Sequence, residues 1–267
     1  MAMKKARREA ILGMDSMKDL FINSILPDRK LKYFRDQPIT AKGVTDKHLV
    51  LWFFEDSIKK LYFEFLQALE DLSKDPLVHI KNKVLQYIHD LLLAKPEQEQ
   101  NLLTLLVNKI GDLERKIASR AVFLLLQLLE KHPSMKLIFS KEVEQLIFRP
   151  NMPKRTQYYG VTFLNQIPLS KSAADVACAN HLVSIYFVLF EQLVQENHIE
   201  KEEEEGETKP DVAAAASAKS KKGKKGKSKK DAKPVNSEIE GINAKMMAGL
   251  LTGVHRAFPF SDIDDSM

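Results

Sequence analysis

Two stretches of the chain repeat one another at a fixed offset of 37 residues, and that repeat restricts the fold more than any other feature of the sequence. Asp75 falls on Asp112, Ile80 on Ile117, Lys83 on Arg120, Leu91-Leu92 on Leu128-Leu129, and Pro96 on Pro133. Each unit opens on an aspartate, carries apolar residues at three- and four-residue spacing, and stops at a proline. A unit of this kind cannot bury its apolar stripe alone, but stacked copies can bury it against one another. The expected fold is therefore all-α, a HEAT/armadillo-like helical-repeat solenoid. Folds of that kind hold partners along extended surfaces.

The chain has 267 residues, 44% of them hydrophobic, which is enough for a sizeable core. The longest apolar run, Ala121 to Leu129, is interrupted by Gln127. It falls short of the roughly 18 residues that cross a bilayer, so no membrane association is expected. Residues 1–12 are basic and then amphipathic, without the apolar stretch of a secretory signal. The single cysteine, Cys178, excludes an internal disulfide, and its neighbours Ala177 and Ala179 suit a small buried side chain.

Hydrophobic periodicity places a first helix over Ala6–Ile25, stopped by Pro27, and a long one from a Thr45 cap to Leu72. Asp75-Pro76 reads as an N-cap with proline at the first helical position. Further helices are expected near 76–94, 97–110, 112–132, 141–148, 154–166, 171–196 and 239–257. The domain reading follows. Residues 1–196 form the helical-repeat body, and 197–236 are a disordered insert, acidic from Glu200 to Glu207 and then rich in lysine. Residues 237–260 resume the solenoid, and 261–267 are disordered.

The net charge of +5 is unevenly placed. Residues 1–38 contribute nine Lys/Arg against five Asp/Glu, residues 199–235 eleven against eight, and the rest is slightly acidic. The candidate nucleic-acid and nuclear-import residues are therefore Lys4, Lys5, Arg7 and Arg8, with Lys219, Lys221, Lys222, Lys224, Lys225, Lys227, Lys229 and Lys230. Exposed lysines attract phosphates by releasing counterions, which makes binding salt-sensitive. No aromatic residue lies in the lysine block, so base stacking and sequence choice are not expected from it.

Signals for catalysis are missing from the sequence. Gly226-Lys227-Ser228 resembles the end of a phosphate-binding loop, but Lys221 stands where the first glycine is required. The histidines are dispersed, with no cysteine pair beside them and no nucleophile elbow. The expectation is a non-enzyme with no catalytic residue, no metal, no cofactor and no small-molecule substrate.

Several longer strings carry a resemblance. They include Met14-Asp15-Ser16-Met17-Lys18-Asp19-Leu20-Phe21, Leu51-Trp52-Phe53-Phe54-Glu55, Lys131-His132-Pro133-Ser134-Met135-Lys136 and Gln157-Tyr158-Tyr159-Gly160-Val161-Thr162-Phe163-Leu164. After the lysine block comes Leu250-Leu251-Thr252-Gly253-Val254-His255-Arg256-Ala257-Phe258-Pro259-Phe260-Ser261. Through these strings the chain resembles the CCAAT-binding-factor or nucleolar-complex family. The family continues into further helices, so the resemblance covers part of it. It implies a nuclear and nucleolar scaffold in large (60S) ribosomal subunit biogenesis. The implied partners are related nucleolar helical-repeat proteins, pre-60S particles and rRNA, the last held electrostatically. Two other readings stand beside it: a transcription regulator at CCAAT promoter elements, and a generic HEAT-type protein-binding adaptor.

The last helix offers the sharpest structural expectation. Ile242, Met246-Met247, Leu250-Leu251 and Val254 make it apolar, and Phe258-Pro259-Phe260 follows. Leu251, Phe258 and Phe260 are the candidate partner-surface residues, because a solenoid end leaves an apolar side without a neighbour.

Overall fold

The computed structural model describes residues 7–207 and 235–262, with side chains described over 7–196 and 241–262. All regular structure among the described residues is helical: α1 (Arg7–Leu20, running into a π-helical turn at Phe21–Ile25), α2 (Asp46–Ser73), α3 (Val78–Ala94), α4 (Glu99–Asn108), α5 (Arg115–Lys131), α6 (Lys136–Ile147), α7 (Lys154–Leu164), α8 (Ala173–Glu207) and α9 (Val235–Ala257).

The repeat is visible in the backbone. Helices α3 and α5 are both 17 residues long and start 37 residues apart, as do α4 and α6. One layer stacks α3 on α5, α5 on α7 and α7 on α9, while the other stacks α4 on α6 and α6 on α8. Contacts of α3 with α4, α4 with α5, α6 with α7 and α8 with α9 join the layers. That alternation is the two-layer packing of a helical-repeat solenoid. Leu106, Leu124, Leu128, Phe139, Phe163 and Leu182 lie almost fully buried within it.

The repeat starts differ in one respect from the sequence reading. Helix α3 begins at Val78, so Pro76 is not its first residue. Asp75 instead accepts the Leu77 backbone N–H at 2.9 Å, and Asp112 accepts that of Glu114 at 3.0 Å. Both are Asx turns, whose side-chain oxygen captures the amide two residues on and delays the helix. Each aspartate is also gripped by a cation from elsewhere in the stack: Arg7 reaches Asp75 at 2.8 Å and Lys81 reaches Asp112 at 2.8 Å. Lys136 holds Asp175 near the start of α8 in the same way, at 2.9 Å.

The connector after α1 is fixed by a buried ion pair. Glu97, only 2% exposed, accepts the Leu31 backbone N–H at 2.6 Å and the Lys59 ammonium at 3.1 Å. Lys59 also donates to the Leu31 carbonyl at 2.6 Å and lies 4.8 Å from the centre of the Tyr33 ring. The Thr45 cap of α2 is present, with His48 in the place usually taken by Glu or Gln: its Nδ1 accepts the Thr45 backbone N–H at 3.1 Å.

Helix α8 departs from expectation twice. Its segment Ala173–Glu196 is long and apolar enough, by length and composition alone, to cross a membrane. No uninterrupted apolar run flagged it, because Asp175, His181 and Glu191 punctuate the segment. Packing against α6 and α9 gives a simpler account of its composition, that of a core helix. The helix then continues to Glu207, past the boundary expected at 197. Glutamate and lysine are strong helix formers, and no helix breaker occurs before Gly206. The remainder of the expected insert, 208–234, lies outside the described residues. Cys178 is buried on α8, and that burial raises its thiol pKa.

Candidate partner-binding groove

Helix α9 is held against α7 and α8 by one amide. Asn165, just past the end of α7, donates through Nδ2 to the Gly249 carbonyl at 2.8 Å. Its Oδ1 accepts from the Tyr186 hydroxyl of α8 at 2.7 Å. Burial drives the Tyr186 phenol well above its ordinary pKa, so it stays a donor. Arg256 adds a hydrogen bond to the Ile167 carbonyl. This approach requires Gly253. A Cβ there would lie 2.5 Å from Asn165 Oδ1 and 2.7 Å from the Tyr186 ring.

Seating α9 in this way buries Met246, Leu250 and Ala257 and leaves a groove where its outer edge meets α8. The groove has a volume of about 440 Å3. Tyr186, Phe187 and Phe190 line one side, and Leu251, Val254, Phe258 and Pro259 line the other. Phe187 is 51% exposed and Leu251 58%. His255 is the one titratable group on its rim besides the Tyr186 phenol. An aromatic, largely non-polar cleft without a convergent set of acids, bases or nucleophiles suits an apolar side chain better than it suits bond-making chemistry.

Of the expected partner-surface residues, Leu251 and Phe258 line the groove, while Phe260 does not and is half-buried in the turn that closes the helix. Phe187 and Phe190 were not singled out from sequence. Among the expected phosphate contacts, Arg7 is engaged with Asp75 and Arg8 is exposed. Lys4, Lys5 and Lys219 through Lys230 lie outside the described residues. Among the described residues, no three His, Cys, Asp or Glu side chains gather as a metal site.

The shifted carboxyl groups serve the fold. Burial pushes Asp112 up, but the Lys81 ammonium and the Glu114 amide outweigh it and leave the group below its ordinary value. Asp175 is likewise raised by burial and then brought lower by Ser170 and Lys136. Hydrogen bonding from Arg29 is the leading reason that Glu55 lies low.

No family model matches the chain. Individual proteins do. Human CCAAT/enhancer-binding protein zeta is 36% identical over 98% of this chain and 21% of its own length. Ribosome biogenesis protein NOC1 of Chaetomium thermophilum is 37% identical over 100% of this chain and 26% of its own. Nucleolar complex protein 1 of Drosophila melanogaster is 39% identical over 55% of this chain and 12% of its own. Two of these relatives carry names that place them in ribosome biogenesis and in a nucleolar complex. The chain is thus similar to one segment of CCAAT/enhancer-binding protein zeta and of nucleolar complex protein 1. It spans less than a third of the length of the curated relatives it matches across nearly all of its own.

Proposed function

We propose that the chain is a non-enzymatic scaffold segment in assembly of the large (60S) ribosomal subunit. In this reading the α8–α9 groove receives a related nucleolar helical protein, and basic segments hold pre-rRNA by its phosphates. The observation that carries the reading is the likeness to a protein named for ribosome biogenesis, across 100% of the chain, and to human CCAAT/enhancer-binding protein zeta, across 98%. The apolar groove supports the protein-binding half, since a cleft lined by Phe187, Phe190 and Leu251 offers an aromatic anchor site. The lysine block from Lys219 to Lys230 supports the RNA half.

Affinity purification of the tagged chain, with sequencing of bound RNA, tests the reading. Large-subunit precursor rRNA and nucleolar proteins are the expected companions, and recovery without either overturns it. The name of the human relative favours a second reading, sequence-directed binding to CCAAT DNA. Reading base edges requires Arg, Asn or Gln presented in a groove by a helix or ribbon. Competition by CCAAT and scrambled duplexes separates the two readings, and equal displacement removes the second.

A further inference from the structure

Two groups of cations stand out among the described residues. Lys59, Lys81, Lys109 and Lys136 lie between packed elements, and each has a carboxylate within reach. Lys83, Lys116, Arg120 and Arg155 have none within 4.0 Å among the described residues, and the first three are exposed. These four sit on the adjacent helices α3, α5 and α7 of one layer.

Their placement is set by the repeat. Lys83 and Arg120 are equivalent positions 37 residues apart, on helices that pack side by side. Arg120 reaches across to Gln86 Oε1 on α3 at 2.7 Å, which fixes its guanidinium near the boundary of the two helices. Lys116 is one turn before Arg120 on the same face. Arg155 of α7 donates to the Asp112 and Leu113 carbonyls at 3.1 and 2.7 Å, which brings it beside the start of α5. The row thus crosses three neighbouring helices whose axes are roughly 8–10 Å apart. The acids on the exposed side of α5, Glu114 and Glu130, stand at or beyond its ends and leave its middle turns cationic.

Aromatic rings accompany two of these cations. The Phe123 ring lies 5.4 Å from the Arg120 guanidinium and is 48% exposed. Tyr159 lies 6.0 Å from that of Arg155. An exposed phenylalanine beside unpaired cations has the makeup of a stacking platform set in a phosphate-binding track.

We infer that the α3–α5–α7 face binds single-stranded RNA, with backbone phosphates on Lys83, Lys116, Arg120 and Arg155 and a base stacked on Phe123. The inference deepens the reading of the chain as an RNA-contacting scaffold and rests on it. It differs in placing a contact on the folded repeats, where spacing is fixed, instead of in the lysine block. A track of four phosphate contacts contributes about −3 to the slope of log affinity against log salt for a single strand.

Binding of the full chain to a fluorescent oligouridylate of about 20 nucleotides, titrated across several salt concentrations, tests it. The triple variant Lys83→Gln, Lys116→Gln, Arg120→Gln is expected to flatten the slope by about 2. Phe123→Leu is expected to weaken binding about ten-fold at every salt concentration, with the slope unchanged. A control triple, Lys42→Gln, Lys141→Gln, Lys171→Gln, removes equal charge elsewhere and is expected to change the slope little. Unchanged thermal melting certifies that each variant is folded, and a destabilised triple is replaced by the single Lys116→Gln variant, read by a slope change of about 0.7. Equal effects from the two triples overturn the inference, because net charge alone then explains binding. Full binding by the face variants, with complete loss on replacing the eight lysines from Lys219 to Lys230, overturns it too but leaves the wider reading intact. No RNA binding by the unmodified chain removes both. Loss of a captured protein partner without loss of RNA assigns the face to protein and also overturns it.

Discussion

Three glycines on α9 form a graded experiment on how that helix is seated. Replacing glycine by alanine in a helix interior stabilises by about 1 kcal/mol when nothing opposes the new methyl group. Gly241 has nothing within 4 Å of an added Cβ, so Gly241→Ala should realise that gain. At Gly249 the nearest atoms are Val161 Cγ1 at 3.5 Å and Asn165 Nδ2 at 3.9 Å, ordinary contact distances that preserve most of it. At Gly253 the methyl would lie 2.5 Å from Asn165 Oδ1 and 2.7 and 2.8 Å from Tyr186 ring carbons. Neither neighbour can yield freely, because Tyr186 donates to Asn165 at 2.7 Å and Asn165 donates to Gly249 at 2.8 Å. Overpacking of this kind costs about 1–3 kcal/mol, and separating the clasp forfeits roughly 1 kcal/mol for each hydrogen bond. Against the propensity gain, Gly253→Ala should destabilise by about 2–4 kcal/mol, so it and Gly241→Ala should differ by about 3–5 kcal/mol. Urea unfolding gives the ranking, and hydrogen exchange of the α9 amides shows whether the loss is local. If Gly253→Ala matches Gly241→Ala within about 0.5 kcal/mol, the close approach assigned to this glycine is wrong.

Other expectations follow from sites already described. Lys59→Met strands the Glu97 carboxylate in the core and should cost about 3 kcal/mol or more. A loss below about 1 kcal/mol by denaturant titration would show that water reaches Glu97. Asp112 and Asp175 titrate below the ordinary aspartate value of 3.8 in the folded chain, so their contribution is complete above that value. It is lost as pH falls through their lower folded values. Acid titration of Lys81→Met should therefore show a shallower loss in that window than the unmodified chain, and identical profiles would remove the Lys81–Asp112 link as a cause. The bare groove should drive self-association at high concentration, and Leu251→Ser with Phe187→Ser should reduce it without lowering the melting temperature. A monodisperse monomer of the unmodified chain in analytical ultracentrifugation would contradict this.

The offset of Asp75 and Asp112 was legible in sequence because both aspartates serve one local purpose at corresponding points of a repeat. Helix starts were less legible. Pro133 opens a 3-10 turn that runs directly into α6 at Lys136, whereas periodicity alone began that helix at 141. The groove was half legible. Leu251 and Phe258 stood out because α9 has a polar side to set them against. Phe187 and Phe190 did not, because Val183, Tyr186, Val188 and Leu189 surround them and α8 is apolar on nearly every side. The Lys59–Glu97 pair and the Asn165 clasp join residues far apart in sequence, 38 and 84 positions respectively. No local pattern marks either contact. The cation row was hidden for another reason: its members are ordinary helix-surface residues until packing sets three helices side by side.

The distance spanned by the Asn165 clasp also has a temporal side. The contact joins residues 84 positions apart, whereas Arg120 meets Gln86 across only 34. At roughly 5–20 residues per second on the ribosome, Gly249 emerges about 4–17 s after Asn165. Helices α7 and α8 form within microseconds of becoming available, so they wait for α9 with Val161 and Tyr186 uncovered. Every nascent copy therefore passes through an interval, long on the folding timescale, in which its growing end is adhesive. On polysomes many such ends are held close together, and they stay uncovered until α9 arrives.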